Sequence, residues 1–341
     1  MSEFNLIDWV RNQPQDLPSS LIKGIGDDCA VLDPGFARRM VVTTDVLVED
    51  VHFRRRWINP YFLGRKAMAV NLSDLAAMGA RPYGCLLGLA LPSDLTRGYF
   101  PEFMRGFLEE GGRWKAPLIG GDLSRGRQIQ ISVTMLGYVG NGDPIYRSTA
   151  RPEDLILVIG ELGFSGTGLE LLEQEDPEQL SIAASERELQ DWAGDSFRYR
   201  CLKAHLLPQP QLDAAVWLQE NGLANALIDV SDGLAADLLH ISRQSRLSAQ
   251  LQTERLALSA GDAGDKIDTK MILEGGEDYA LLFTASPEQV KRLQSLYPGD
   301  LPLCHIIGKL VKGKPGLYLT GPESREEYVP RGFDHFHSLL T

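Results

Sequence analysis

The sequence predicts an α/β protein of the α+β type, arranged as two α/β domains. Three observations lead there. β-rich runs and helical patterns alternate along most of the 341 residues. That length suits roughly two domains. The stretch GNGDPIYRSTARPED, 140–154, concentrates Gly, Pro and polar residues between two such alternating sets. An N-terminal domain over 1–145 and a C-terminal domain over 146–341 are therefore expected.

In the first set, RMVVTTDVLVEDVHF is β-rich and YFLGRKAMAVNLSDLAAMGA reads as a helix ending near Gly79. YGCLLGLALP reads as a buried strand stopped by Pro92, YFPEFMRGFLEEGGRW as a helix and IQISVTMLGYV as a strand again. In the second set, strand LILVIG precedes the Gly-rich ELGFSGTG and helical segments between 165 and 222. Strand NALIDV, a helix from 232, strand YALLF, a helix from 287 and a β-rich end complete it. Residues 173–195 are acidic and polar and read as an exposed helical excursion. No tandem repeat or low-complexity tract interrupts the pattern.

Composition excludes several classes of partner. Asp plus Glu outnumber Lys plus Arg by 46 to 34, for a formal net charge of −12. Without a basic run, a nucleic acid is not an expected partner, because backbone binding needs a positive footprint. No apolar run approaches the roughly 20 residues of a membrane span. MSEFNLIDWV carries acids where a signal peptide carries bases, so the expected location is cytoplasmic. Cys29, Cys85, Cys201 and Cys304 form no C-x-x-C pair and read as reduced core thiols. His335 and His337 in the tail read as surface residues.

The segment IDVSDGLAADLL, 228–239, sets Asp229, Asp232 and Asp237 among core-forming residues. The same juxtaposition recurs at Asp27 and Asp28, at Asp45 and Asp50, at Asp74, at Asp122, and at Glu277 and Asp278. A buried carboxylate must be protonated, paired or bound to a metal, and these stretches hold almost no Lys or Arg. Strand alternation puts Thr43, Asp45, Leu47 and Glu49 on one face, and Thr44, Val46, Val48, Asp50 and His52 on the other. In the helix, Ala67, Val70, Asp74 and Met78 share a stripe, so Asp74 is expected on the apolar side.

Oxygen ligands without a His or Cys cluster suit Mg²⁺ or Ca²⁺ rather than zinc, and DVSDGL lacks the spacing of an EF-hand loop. Mg²⁺ takes one or two carboxylates per ion and completes its shell with water and phosphates. Several scattered aspartates thus point to several ions around a polyphosphate. The plainer alternatives are an N-cap at Asp232 and Gly-flanked turns at Asp27 and Asp122. There is no G-x-x-x-x-G-K-[ST] loop, no G-x-G-x-x-G fingerprint and no G-x-S-x-G elbow. The glycines of GELGFSGTG serve either a tight turn or backbone contact with phosphate.

Taken in order, GIGDDCAV, TTDVLVEDVHF, NLSDLAAMGA, GGDLSRG, IDVSDGLAADL, GGEDYALLF and the final GFDHF closely resemble the thiamine-monophosphate kinase family. That family lies in the superfamily of aminoimidazole-ribonucleotide synthetase and selenophosphate synthetase. The match runs from about residue 24 to 336. The resemblance implies an N-terminal domain that dimerises through its sheet, a C-terminal α/β domain, and an Asp-lined cleft for ATP and Mg²⁺. It implies ATP-dependent phosphorylation of thiamine monophosphate to thiamine diphosphate by direct in-line transfer.

By position, the family's metal ligands fall on Asp28, Thr43, Thr44, Asp45, Asp74, Asp122, Asp229 and Asp232. Its ATP contacts fall on Gly121, Asp122, Arg147 and Ser231, and its substrate contacts on His52, Glu277 and Phe333. No residue is expected to act as a general base. Asp50 stands where the family usually has Gly, Leu123 where it usually has Thr, and Ala280 where it often has Glu. A selenophosphate synthetase would be expected to carry a reactive Cys in a Gly-rich segment before GIGDDCAV, and none precedes it. A hydrogenase-maturation relative would end in a modified Cys, whereas this chain ends HFHSLLT.

Overall fold

The computed structural model describes residues 21–330 apart from 24–26, 28, 34, 36–37, 141, 176–182, 184, 265 and 323. Two sheets organise these residues. The first contains β1 (Leu21–Lys23), β2 (Ala30–Leu32), β3 (Arg39–Val48), β4 (Arg81–Leu91), β5 (Leu118–Arg125) and β6 (Gln130–Val139), in the order β1-β2-β3-β6-β4-β5. The second contains β7 (Leu155–Ile159), β8 (Ala226–Asp229), β9 (Ser248–Gln252), β10 (Leu281–Ala285), β11 (Cys304–Val311), β12 (Gly316–Thr320) and β13 (Arg325–Tyr328). Its order is β13-β12-β9-β11-β7-β10-β8. Neighbouring strands are antiparallel except β4 with β5 and β9 with β12. The chain leaves the first sheet at Val139 and enters the second at Leu155, so the change falls in the Gly- and Pro-rich stretch.

The helices used below are α1 (Pro60–Ala77), α2 (Tyr99–Arg113), α3 (Phe164–Gln174), α4 (Glu186–Ala193), α5 (Ser196–Leu206), α6 (Leu212–Glu220) and α7 (Leu234–Ser245). α1 begins where Asn59 accepts the Phe62 N–H at 2.7 Å and Pro60 occupies the first helical position. Of residues 62–77 only Arg65 and Asp74 escape full burial. A helix covered on every side has no amphipathic stripe, and its apolar residues accordingly fall all round its axis. It packs on α2, on β3 and β6 of the first sheet, and on α6 and β8 of the second half. Glycine makes the α1–α2 contact possible: a Cβ at Gly106 would lie 1.9 Å from Tyr61 O, and one at Gly64 2.1 Å from Phe103 O. Any polar side chain on α1 must therefore find its partner inside the protein.

β3 shows the expected alternation. Val41, Thr43, Leu47 and Glu49 are buried, whereas Thr44, Val46 and Asp50 are exposed. Three features differ from the sequence expectation. LIGGDLSR forms the edge strand β5 rather than a Gly-flanked turn, and Gly121 is needed there because a Cβ would meet Leu87 O at 2.1 Å. β9 joins the second sheet from a stretch without a clear strand pattern. The acidic excursion contains α4, which buries Leu189 and Ala193 and is tied down by Glu186 to Arg65 and Lys203, both at 2.8 Å. All four cysteines are free thiols, although Cys304 is only partly buried. Burial pushes Cys85 up to about 11, and Cys201 and Cys304 to about 12, so these three stay protonated.

Candidate active site

The covered face of β3 meets α1 at a pair of expected ligands. Thr43 Oγ1 donates to Asp74 Oδ2 at 2.5 Å, and Cys29 Sγ lies 3.5 Å from the Asp74 carbonyl oxygen. One residue earlier on the helix, Ser73 is fully buried and donates to Asp229 Oδ2 at 2.6 Å. Asp229 ends β8, so this bond crosses from the N-terminal half to the C-terminal half. The Tyr279 phenol lies in the same region. Burial raises its pKa first, and Glu277, Asp45, Asp229 and Asp74 raise it further. Carboxylates from β3, α1, β8 and the 276–279 loop are thus near enough to act electrostatically on one buried phenol.

Among the described residues, no three His, Cys, Asp or Glu side chains stand close enough together to form a ready-made metal cluster. Mg²⁺ is an ion that draws few ligands from protein and the rest from water and phosphate. The donor set, carboxylates with the Thr43 hydroxyl, is of the hard oxygen type that this ion requires.

The 228–239 segment divides its aspartates between two tasks. Asp232 does not cap α7: the N-cap is Gly233, with φ of 107° and no side-chain cap. Instead Asp237, 3% exposed, accepts the N–H groups of Ser231 at 3.0 Å and Asp232 at 3.1 Å. Burial pushes the Asp237 carboxyl well up, and Asp232 and Asp229 push it further. Asp237 therefore organises the loop that presents Ser231 and Asp232, while Asp229 faces α1.

The 276–279 loop runs beside that loop. Tyr279 donates to Val230 O and Glu277 to Ser231 O, both at 2.8 Å, and both residues have positive φ, 49° and 62°. Glu277 Oε2 accepts from Lys66 Nζ at 3.0 Å, and Lys66 also donates to His205 O at 2.9 Å. Burial pushes the Glu277 carboxyl up, but Lys66, charged and hydrogen-bonded to it, pulls it below the ordinary carboxylate value. Asp278 turns the other way and accepts the N–H groups of Gly163 at 2.6 Å and Ser165 at 3.0 Å. Those donors in the Gly-rich segment thus meet a carboxylate, and Gly163, at φ of 83°, makes a tight turn. Burial raises Asp278 to about 7 against the pull of the two N–H groups.

Arg147 lies 3.8 Å from Asp27 and close enough to Asp237 to lower its pKa, so it joins the N-terminal segment to the Ser231 loop. His52 Nδ1 accepts the Val48 N–H at 3.0 Å. A neutral ring that accepts at Nδ1 carries its proton on Nε2, where it can donate to an anion. Asp50 has φ of 65°, which accounts for the family's usual Gly at this turn.

Two expected ligands are not brought to this set. The Thr44 hydroxyl is on the opposite face of β3 from Asp45 and donates to Val133 O at 3.1 Å. Asp122 is exposed on β5 and shares a cross-strand row with Gly88, Ser132 and Val46, again the uncovered side. Three strand spacings separate it from β3, roughly 14 Å. Gly121, in the row of Asp45, is likewise at the sheet edge. Asp28 and Phe333 lie outside the described residues, as do His335 and His337. Sequence reasoning missed Lys66, Ser73, Asp237 and Tyr279 as parts of the site. Ser73 and Tyr279 adjoin residues that were singled out, whereas nothing near residue 277 indicates Lys66.

Two family models match the chain: AIR synthase related protein, N-terminal domain, over residues 26–139, and AIR synthase related protein, C-terminal domain, over 151–319. Thiamine-monophosphate kinase of Buchnera aphidicola subsp. Schizaphis graminum is 33% identical, over 98% of this chain and 99% of its own length. The enzyme of that name from Mycobacterium tuberculosis is 37% identical, over 95% of this chain and 89% of its own. A solved structure described as AaThiL complexed with AMPPCP and TMP is 32% identical with a TM-score of 0.78. The alignment covers 98% of this chain and 97% of that one.

Proposed function

The chain belongs to the thiamine-monophosphate kinases of the AIR synthase related family, and on that premise we propose that it moves the γ-phosphoryl group of ATP directly onto thiamine monophosphate. The products are thiamine diphosphate and ADP, the closing step of thiamine diphosphate synthesis. The observation that carries this reading is the meeting of expected ligands around α1: Asp74 with Thr43, on the strand face of Asp45, and Asp229 with Ser73 from the other half of the chain. A concentration of carboxylates repels a polyphosphate, so the set makes sense at a phosphate site only as a holder of cations.

The acceptor needs no deprotonation, since the second pKa of a phosphate monoester is about 6. The obstacle is charge: two unit charges about 4 Å apart repel by roughly 4 kcal/mol at an effective dielectric of 20. Asp28, Thr43, Asp45, Asp74, Asp229 and Asp232 would hold Mg²⁺, which would supply the opposing charge. Arg147 clamps phosphate from the linker, beside Ser231. Gly121 and Asp122 contact the nucleotide from the exposed edge strand. His52 donates through Nε2 to the substrate phosphate. Glu277 and Phe333 meet the thiazolium, a cation suited to a carboxylate and an aromatic face.

The domains divide at 145/146. The chain forms a homodimer through the first sheet, whose uncovered side exposes Val46, Tyr83 and Leu86. Among the described residues no helix is long and apolar enough to cross a membrane, and a cytoplasmic location suits the free thiols. The test is phosphorus NMR of the purified protein with ATP, Mg²⁺ and thiamine monophosphate. Thiamine diphosphate should appear one-for-one with ADP and stop forming when EDTA is added. Magnesium-dependent ATP binding without that product would move the activity to another acceptor.

A further inference from the structure

Lys66 has no role in the transfer chemistry above, yet it is a lysine only 1% exposed at the centre of the protein. Burying an ammonium costs several kcal/mol unless its partners are well placed. Here they are: Nζ lies 3.0 Å from Glu277 Oε2 and 2.9 Å from His205 O. The lysine comes from α1 and both acceptors from the C-terminal half. Glu277 sits on a positive-φ backbone, held also by its own N–H to Ser231 O, and a quarter of its side chain remains exposed. The charged and titratable groups facing its carboxylate are Lys66 from α1, His205 from α5 and His52 from the loop after β3, with Asp278 and Tyr279 following in sequence.

We infer that Lys66 is a positioning residue for the thiamine-monophosphate site: through Oε2 it fixes the Glu277 carboxylate where the thiazolium cation meets it. This rests on the placement of Glu277 at the thiazolium. His205 does not share this task while Lys66 is present. Its ring is buried with Nδ1 3.3 Å from Glu277 Oε2, and burial first and then Lys66 pull it down to about 3, so beside the ammonium it is neutral at pH 7. Without Lys66 the partly buried carboxyl loses its one full positive charge from α1 and keeps only the His205 ring beside it. It takes up a proton more readily and is free to swing from its place.

Steady-state kinetics with each substrate varied in turn tests this on the full-length protein. Lys66→Met should raise KM for thiamine monophosphate about tenfold while KM for ATP changes less than about twofold. Relative to wild type, that rise should grow as pH falls below 7, because the uncompensated Glu277 protonates; the ratio cancels the substrate's own titration. Lys66→Arg, which keeps the charge, should recover part of the loss. Equal changes in KM for both substrates, or a fall in kcat alone, would mark Lys66 as merely structural and overturn the inference.

The Lys66→Met/Glu277→Gln pair leaves no lone buried charge and so keeps the test open if Lys66→Met fails to fold. It should match Glu277→Gln alone in KM for thiamine monophosphate, and a further rise overturns the inference. The two readings separate cleanly. An unchanged KM in Glu277→Gln removes Glu277 from the thiazolium and Lys66 with it. A raised KM in Glu277→Gln with none in Lys66→Met removes Lys66 only.

Discussion

Replacing Asp237 tests whether the loop carrying Ser231 and Asp232 is held from behind. The carboxylate is 3% exposed, and its Oδ2 takes both N–H groups at 3.0 and 3.1 Å. In Asp237→Leu two donors lose their acceptor, at about 1–3 kcal/mol each, or about 2–6 kcal/mol in total. Unfolding entropy of about 2.1 cal/mol/K per residue gives about 0.7 kcal/mol/K for 341 residues, so Tm should fall by about 3–8 °C. Asp237→Asn keeps an oxygen in the same place and should lose about 1 kcal/mol or less. Turnover should follow the same order, because displacing the proposed ATP- and metal-binding loop by about 1 Å would cost about 10²-fold. Thermal melting by circular dichroism and an ADP-release assay measure the two effects. A Leu variant that melts with wild type and turns over normally would refute the reasoning. An Asn variant as damaged as Leu would show that charge, not an acceptor, holds the loop.

Three further outcomes are expected. Asp45→Asn should fold normally and lose about 10²-fold or more in kcat, whereas Asp122→Asn, on the exposed edge strand where Ser124 donates to its carboxylate at 2.9 Å, should mainly raise KM for ATP; equal activity at saturating Mg²⁺ removes either residue from its role. Asp50→Gly relieves a positive φ at 65° and should stabilise the chain by about 0.5–1 kcal/mol, seen as a higher urea midpoint at unchanged slope. A lower midpoint contradicts that account of the turn. Asp278 is raised to about 7, above its unfolded value, so the folded state binds the extra proton and its contribution falls as pH rises from about 4 through 7. The Tm of Asp278→Asn relative to wild type should therefore climb between pH 5 and pH 8, and a flat difference would refute this.

How much of the site could be read in advance depended on how locally each residue is determined. Strand alternation placed Thr43 with Asp45 because β3 is a central strand with one covered face, where a register slip would bury the wrong set. The same alternation separated Thr44 from Asp45, and the Thr44 hydroxyl does lie on the uncovered face. The stripe through Ala67, Val70, Asp74 and Met78 was no guide, because α1 is covered all round and Asp74 is one of its two partly exposed residues in 62–77, turned to Thr43 of the first sheet. β5 was not legible because it is an edge strand largely exposed on both faces, so no two-residue pattern marks it, and its two glycines read as a turn. The pairing of Lys66 with Glu277 spans 211 positions and leaves no trace in spacing. The expectation that the acidic stretches lack a basic partner failed there for that reason.

The polar residues of α1 explain why a helix buried on all sides is not simply greasy. Lys66 and Ser73 are seven residues apart, two turns of helix, and so point the same way. Lys66 reaches Glu277 and Ser73 reaches Asp229, both in the C-terminal half. Asp74, one position on, turns instead to Thr43 in the first sheet. One helix thus ties down Glu277, Asp229 and Asp74, three carboxylates contributed by different halves of the chain. Each of these bonds would leave a buried charge or acceptor unmatched if α1 shifted, at about 1–3 kcal/mol apiece. The glycine contacts with α2 hold α1 against such a shift, because backbone touching backbone leaves no side chain to yield. The rigidity of the core and the geometry of the site are therefore one constraint, and it explains why the chain accepts the cost of charges at its centre.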